Sequence, residues 1–362
     1  MGTIIEAGID PSMGADMIDT ELSFVHSPSH PDDALLGKIA GACGDWASGG
    51  GGFGPTSTIT GDGAIAAAEK AFSAAVGGGR PALLVPSATY GLYSALKALG
   101  VGHGDICLIP EYDWPASLAA VRSLGAIPRL VPVGTGTYTI DPDAITPSTL
   151  DDAKALIACH IHGIPADVPA LREATGGNVP IVEDCSQATG CMLDGEFVGT
   201  FGDIAVHSFG PNKNLYAGEG GMILTHDWNL YEKVLREVGH PVRQAIGGAG
   251  DAINYASLSV RPHPMTAIML LSELRSFDPL VSCHEFEALA GEIAAHEGIR
   301  LIGMDSRRQN AAGKVPVALD GDICDLGRKY NIVPSGAFDL ASMEKTARQV
   351  YLISETGGGT ND

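Results

Sequence analysis

The chain has 362 residues, 45% of them hydrophobic and only 18% charged, enough to bury one large domain with a smaller appendage or two ordinary domains. Its 43 acidic against 22 basic side chains leave a formal charge of -21, which repels nucleic-acid phosphates and anionic headgroups, and no stretch has the unbroken apolar length of a membrane span. The seven cysteines are scattered without a C-x-x-C pair and read as reduced thiols; with no basic and apolar leader at the N-terminus, the expected location is the cytoplasm.

Residues 1–60 are rich in Gly, Pro, Ser and Asp and read as an irregular arm or entry loop. A rhythm then begins: "GAIAAAEKAFSAAV" (63–76) predicts a helix, "PALLVP" (81–86) a buried strand and "YGLYSALKAL" (90–99) a second helix. "DICLIP", "PASLAAVRSLG", "IPRLVPV", "AKALIACH", "DVPALREATG" and "VPIVED" continue the alternation of short apolar strands with helical patterns. This predicts an α/β fold with a mostly parallel sheet covered on both faces, whose ligand sits beyond the carboxyl ends of the strands. Helices follow at "WNLYEKVLREVGH" and "HPMTAIMLLSELRSF" (263–277). Beyond residue 280 the pattern predicts a small α/β unit: a helix at "HEFEALAGEIAAHEG", a strand at "KVPVAL", a helix near "GDICDLGRKY", a final helix around "LASMEKTARQVYLI" and a disordered tail. The division expected is an arm over 1–60, a large domain over 61–260, and an interface helix with a small C-terminal domain over 261–362.

Two stretches carry the chemistry. In "VPIVEDCSQATG" an apolar strand ends in Glu183 and Asp184; in "HSFGPNKNLYAGEGG" (207–221) a lone lysine, Lys213, stands among glycines, small residues and aromatics, with Ser208 before it. A nucleophilic amine needs shielding from water and a chain bent closely around it. A buried aspartate, a lysine and a serine hydroxyl together suit pyridoxal phosphate, as partner of the ring nitrogen, amine for the aldehyde and phosphate donor.

With "SATYGLYSALKALG" and "VGTFGDIAVHSFGPNKNLYAGEGGMILT", these stretches resemble the DegT/DnrJ/StrS-type sugar aminotransferases, fold-type I pyridoxal-phosphate enzymes, over about residues 60–275. The resemblance implies that Lys213 binds the cofactor's aldehyde and shuttles a proton, and that Asp184 keeps the ring nitrogen protonated. Ser208 and the helix start at Ala88 and Thr89 would hold the phosphate, unless Thr89 is an ordinary helix cap. Trp114 would lie on the ring or else pack in the core. Gln187 would stand near the ring oxygen or serve as a structural amide. Arg261 would reach the neighbouring subunit's phosphate across a homodimer or form an interface salt bridge. Ser259 departs from the family, which commonly has asparagine two residues before that arginine. The segments after residue 280 do not match the family, so no substrate residue is carried over from there.

The function expected is transfer of an amino group from glutamate or glutamine to a keto sugar, cyclitol or related ketone of specialised metabolism. The alternatives are another reaction of the same cofactor (cyclisation, elimination or decarboxylation) or a non-catalytic binding relative. The family's dehydratase branch is disfavoured because those enzymes replace the lysine with histidine. Gly49, Gly51 and Gly54 fit G-x-G-x-x-G, but no strand precedes them and Pro55 follows, so they read as loop. His160 and His162 would share a strand face and could begin a metal site, but no third ligand is evident and no metal is expected. Cys185 reads as a small buried hydrophobe.

Overall fold

The computed structural model describes residues 33–50, 57–247, 252–296, 299–311 and 314–319, with the strands Tyr330–Pro334, Phe338–Asp339, Glu344–Lys345 and Val350–Glu355. Helix α1 (Asp33–Ser48) corrects the irregular arm expected for this region. Its buried Ala42 packs with Cys43 and Trp46 toward the long helix Pro264–Ser276, so a tertiary contact makes a helix that three glycines had masked. Gly51, Gly54 and Pro55 lie outside the described residues.

The predicted alternation then appears in order: α2 (Ala64–Val76), β1 (Ala82–Val85), α3 (Ala88–Ala98), β2 (Ile106–Pro110), β3 (Tyr112–Asp113), α4 (Ala116–Ser123), β4 (Ile127–Val131), β5 (Ala153–Cys159), α5 (Val168–Ala174) and β6 (Ile181–Asp184). After β7 (Ile204–Ser208) and β8 (Gly221–Leu224) come α6 (Trp228–Val238), α7 (Pro241–Ile246), α8 (Pro264–Ser276) and α9 (Pro279–Ala294). The main sheet has seven strands in the order β1-β8-β7-β6-β5-β2-β4. Only β8 runs against its neighbours; the pairs from β7 to β4 are all parallel.

Side-chain alternation divides the core between the two faces of this sheet. Leu84, Ala205, Met222 and Leu224 join α2 and α8 on one face, through Ile65, Phe72, Ile268 and Leu270. Leu83, Val85, Val206 and Ile223 join α3, α4 and α6 on the other, through Leu92, Leu96, Val121 and Val234. Phe72 is fully buried edge-on to Phe209 and His207; its truncation to alanine should cost about 3–5 kcal/mol.

Beyond α9 a second sheet of four antiparallel strands runs in the order β9 (Ile299–Leu301), β10 (Val315–Leu319), β12 (Val350–Glu355), β11 (Tyr330–Pro334). The strand expected at "KVPVAL" is β10 and the helix at "HEFEALAGEIAAHEG" is α9, which begins earlier, at Pro279. The final helix expected around 340–353 is not formed: Glu344–Lys345 and β12 are strands, and β12 pairs on both edges with β10 and β11. Non-local pairing there overrides a locally helical composition. Residues 321–329 of "GDICDLGRKY" lie outside the described residues, whereas Tyr330 opens β11.

Candidate active site

Because β2, β5, β6 and β7 are parallel, their carboxyl ends, Pro110, Cys159, Asp184 and Ser208, reach the same edge of the sheet. The antiparallel β8 starts at that edge, with Gly221 paired to Ser208. The start of α3 is there too, since a Cβ built on Gly221 would lie 2.9 Å from the Ala88 nitrogen and 2.7 Å from the His207 carbonyl oxygen. Only glycine lets β8 approach that closely. Ser87 caps α3 by accepting the Tyr90 N–H at 3.2 Å, and Ala88 and Thr89 form the first turn beside Ser208. Ser87 is the cap, and Thr89 is exposed. An oxyanion meets backbone donors and the helix dipole there, the setting a phosphate requires.

Lys213 lies on the loop between β7 and β8. Phe209 and Gly220 close the base of this loop by a 2.9 Å backbone bond, and the Lys213 N–H donates to the Gly210 carbonyl at 3.3 Å. The lysine is half-buried, and burial lowers its pKa, partly offset by the Asp184 carboxylate. Asp184 and Lys213 are therefore brought within electrostatic reach of one another. Lys314, just before β10, adds a second cation that further lowers Lys213. Nothing in the sequence pattern singled out Lys314, because the loop fold brings it near.

Asp184 is buried and its Oδ1 accepts the Ser186 N–H at 2.9 Å. Adjacent Glu183 points to the opposite face, as strand alternation demands. There it accepts the N–H groups of Gly199 at 2.7 Å, Phe201 at 2.8 Å and Gly202, and binds His160 at 3.1 Å. Burial alone would raise the Glu183 pKa, but His160 and these donors hold it below the ordinary value. Glu183 ties the 199–202 turn to the sheet and leaves Asp184 alone facing the ligand edge.

Trp114 is 51% exposed at the junction of β3 and α4, so it is not packed in the core. Gln187 accepts the His162 N–H on its Oε1 at 2.8 Å. Arg261 is exposed in the segment leading into α8, and Ser259 there adopts a positive φ of 51°.

His160 and His162 do not share a strand face as expected. The chain turns at Ile161–Gly163, where His162 has a φ of 56°. His162 Nε2 meets the Tyr112 hydroxyl at 2.9 Å. His160 lies with Glu183 and Cys185 in a group of metal-ligand types, but its Nδ1 accepts the Ala166 N–H at 2.9 Å and its Nε2 donates to Glu183. Both imidazole nitrogens are committed within the protein. The six described cysteines are unpaired thiols, and Cys185 is fully buried.

Asp113 is a second residue that sequence reasoning missed. It is only 1% exposed at the end of β3, and burial with the nearby Asp184 charge pushes its pKa up to about 7. Its side chain accepts the Trp114 N–H at 2.7 Å and the Ser117 hydroxyl, with a further hydrogen bond from the Cys159 thiol.

This arrangement fits pyridoxal phosphate: a glycine-packed helix start beside a serine for the phosphate, a buried carboxylate for a ring cation, an exposed aromatic, and a half-buried amine of lowered proton affinity. GDP-perosamine synthase of Escherichia coli O157:H7 is 33% identical over 202 residues, 56% of this chain and 55% of that protein. L-glutamine:scyllo-inosose aminotransferase of Streptomyces griseus is 37% identical over 175 residues, 47% and 41% of the two chains. S. venezuelae DesV, solved in complex with ketimine intermediate, superposes with a TM-score of 0.69 at 26% identity, over 89% of this chain and 90% of DesV. The chain covers 34% to 57% of the first curated relatives it matches. The model of the DegT/DnrJ/EryC1/StrS aminotransferase family matches residues 56–328, and the chain belongs to that family.

Proposed function

We propose that this protein is a pyridoxal-phosphate-dependent aminotransferase that moves an amino group from glutamate or glutamine to a keto sugar, cyclitol or related ketone. The observation that carries this reading is Lys213: a half-buried amine of lowered proton affinity, within electrostatic reach of Asp184, on a loop closed at its base. The names of the relatives, a perosamine synthase and a glutamine-dependent inosose aminotransferase, support the acceptor and donor classes.

Ala88, Thr89 and Ser208 would hold the phosphate, Asp184 the ring nitrogen, Trp114 the ring face and Gln187 the edge of the ring. When bound, the cofactor supplies an electrophilic carbon and a sink for electrons. Burial lets Lys213 Nζ exist unprotonated more readily than an exposed lysine, so it can accept a proton from the amino-bearing carbon of the donor and return one to the acceptor. Asp184 holds a proton at the ring nitrogen by its charge, and Trp114 excludes water from one face.

A homodimer with composite sites is part of the proposal. Arg261 is exposed, and Tyr255 and Leu258 beside it are 80% and 64% exposed apolar surface, suited to cover by a second copy. A cytoplasmic location is likewise proposed; among the described residues no helix is long and apolar enough to cross a membrane. The large-domain limits 61–260 and the small C-terminal unit stand as a proposed division.

The test is reconstitution with pyridoxal phosphate. The protein should gain a visible absorbance that borohydride fixes covalently on Lys213, located by peptide mass spectrometry, and glutamine or glutamate should convert the bound cofactor to its pyridoxamine form. A protein that never acquires colour overturns the reading. Colour without conversion by any amino donor replaces transamination with another reaction of the same cofactor.

A further inference from the structure

Among the residues whose side chains are described, Asp113 forms no ion pair. Every hydrogen bond it receives comes from a neutral donor: the Trp114 N–H, the Ser117 hydroxyl on α4 and the Cys159 thiol on β5. The link to Asp184, likewise buried, runs through Cys159: its thiol bonds Asp113, and Cys159 and Asp184 are register partners on the adjacent strands β5 and β6. Lys213 is a cation in electrostatic reach of Asp184. With a cation in reach and a second carboxylate whose charge acts on it, buried Asp113 ionises only at a large cost and keeps its proton until a further positive charge arrives. Asp113 also holds the backbone at Trp114, so the pair and the exposed indole form one unit.

We propose that Asp113 is a positioning residue for the cofactor, holding a proton beside Asp184 in the free protein and releasing it when the cationic ring nitrogen binds. This rests on the reading of the site as a pyridoxal-phosphate site. The ring then faces two negative carboxyl groups instead of one, which tightens the hold on its own proton. In the free protein the same device keeps the pocket from accumulating a second buried negative charge.

The pairing is read by proton count. Pyridoxamine phosphate is titrated into the ligand-free full-length protein and into D113N at pH 7, in buffers of different ionisation enthalpy, by calorimetry. Pyridoxamine phosphate forms no covalent link with Lys213, so that chemistry does not enter. With the Asp113 pKa near 7, wild type should release more protons than D113N, the difference approaching about one half per site. D113N should still bind, with Kd raised by roughly three- to tenfold as one full charge near the ring is lost.

Equal proton counts with binding retained overturn the role of Asp113 and leave the cofactor reading standing. Failure of both proteins to bind pyridoxamine phosphate overturns the cofactor reading itself. If D113N does not fold, the infrared carboxylic-acid band of the wild type serves instead. It should be present in the free protein at pH 6, lost by pH 9, and diminished by the ligand at pH 7; a band the ligand leaves unchanged overturns the pairing.

Discussion

Replacing Gly221 with alanine separates crowding from backbone strain. Gly221 is not among the glycines of positive φ, so alanine suits its conformation, and the whole cost is steric. The new methyl carbon would lie 2.7 Å from the His207 carbonyl oxygen, 2.9 Å from the Ala88 nitrogen and 3.0 Å from the Ser87 carbonyl carbon. All three are backbone atoms, two of them in the capped start of α3, so no side chain can rotate aside. Overpacking of this kind costs about 1–3 kcal/mol, read as a lower urea midpoint. The α3 start must also move away from β8, and losing one charge-assisted N–H contact to the phosphate is worth about 1.5–3 kcal/mol, roughly a 10- to 100-fold rise in the Kd of pyridoxal phosphate. Urea unfolding of the ligand-free protein and fluorescence titration with the cofactor measure the two effects separately. G136A is the control, since nothing lies within 4 Å of the added carbon and the residue is exposed. If G221A matches G136A in both assays, the close approach of β8 to α3 does not build the phosphate cradle.

His207 is buried, its Nε2 has no hydrogen-bond partner among the described residues, and burial lowers its pKa from 6.5 to about 3. The unfolded chain binds the extra proton, so stability is full above pH 6.5 and falls as pH drops toward 3, by about 1.4 kcal/mol per unit. H207N should flatten that slope in pH-dependent urea unfolding; an unchanged slope refutes the assignment. Glu183 has the depressed pKa of a well-bonded carboxylate, so its contribution is present above 4.5 and lost as pH falls through the lower folded value. E183A, which strands His160 and three backbone donors, should lose about 3–5 kcal/mol in the same assay. K314M removes a cation that lowers Lys213, so the pH profile of Lys213 labelling by an amine-reactive reagent, followed by mass spectrometry, should shift upward. An unshifted profile shows that Lys314 does not act on the amine.

The alternating half of the molecule was legible because each strand is short, apolar and bounded, and each helix carries its own stripe; "VPIVED" ends at Asp184 as β6 does. What failed depended on distant partners. Gly37, Gly41 and Gly44 made α1 look like loop, yet a side chain at any of them would meet nothing within 4 Å, and the helix is held through its opposite side by α8. The segment around 340–353 has the composition of a helix, and only pairing with β10 and β11 makes β12 a strand. His160 and His162 were read as strand neighbours because a turn with a positive φ at a histidine leaves no sequence signal. Lys213, Asp184 and Ser208 were found because the motif preserves their spacing. Asp113 was not, because nothing in the sequence shows that this carboxylate is buried at the end of β3, where its charge acts on Asp184.

The pairing of Ser208 with Gly221 has a consequence for how such a protein can change. The segment carrying Lys213 leaves and rejoins the sheet at one rung, like a leash knotted twice to the same post. Between those ends Asn214 donates to the Thr189 and Ala311 carbonyls, and Leu215 and Ala217 are sunk in the core, so a change of length between 211 and 218 would pull on the floor as well as on the amine. The reach of Lys213 and the scaffold beneath it can therefore change only together.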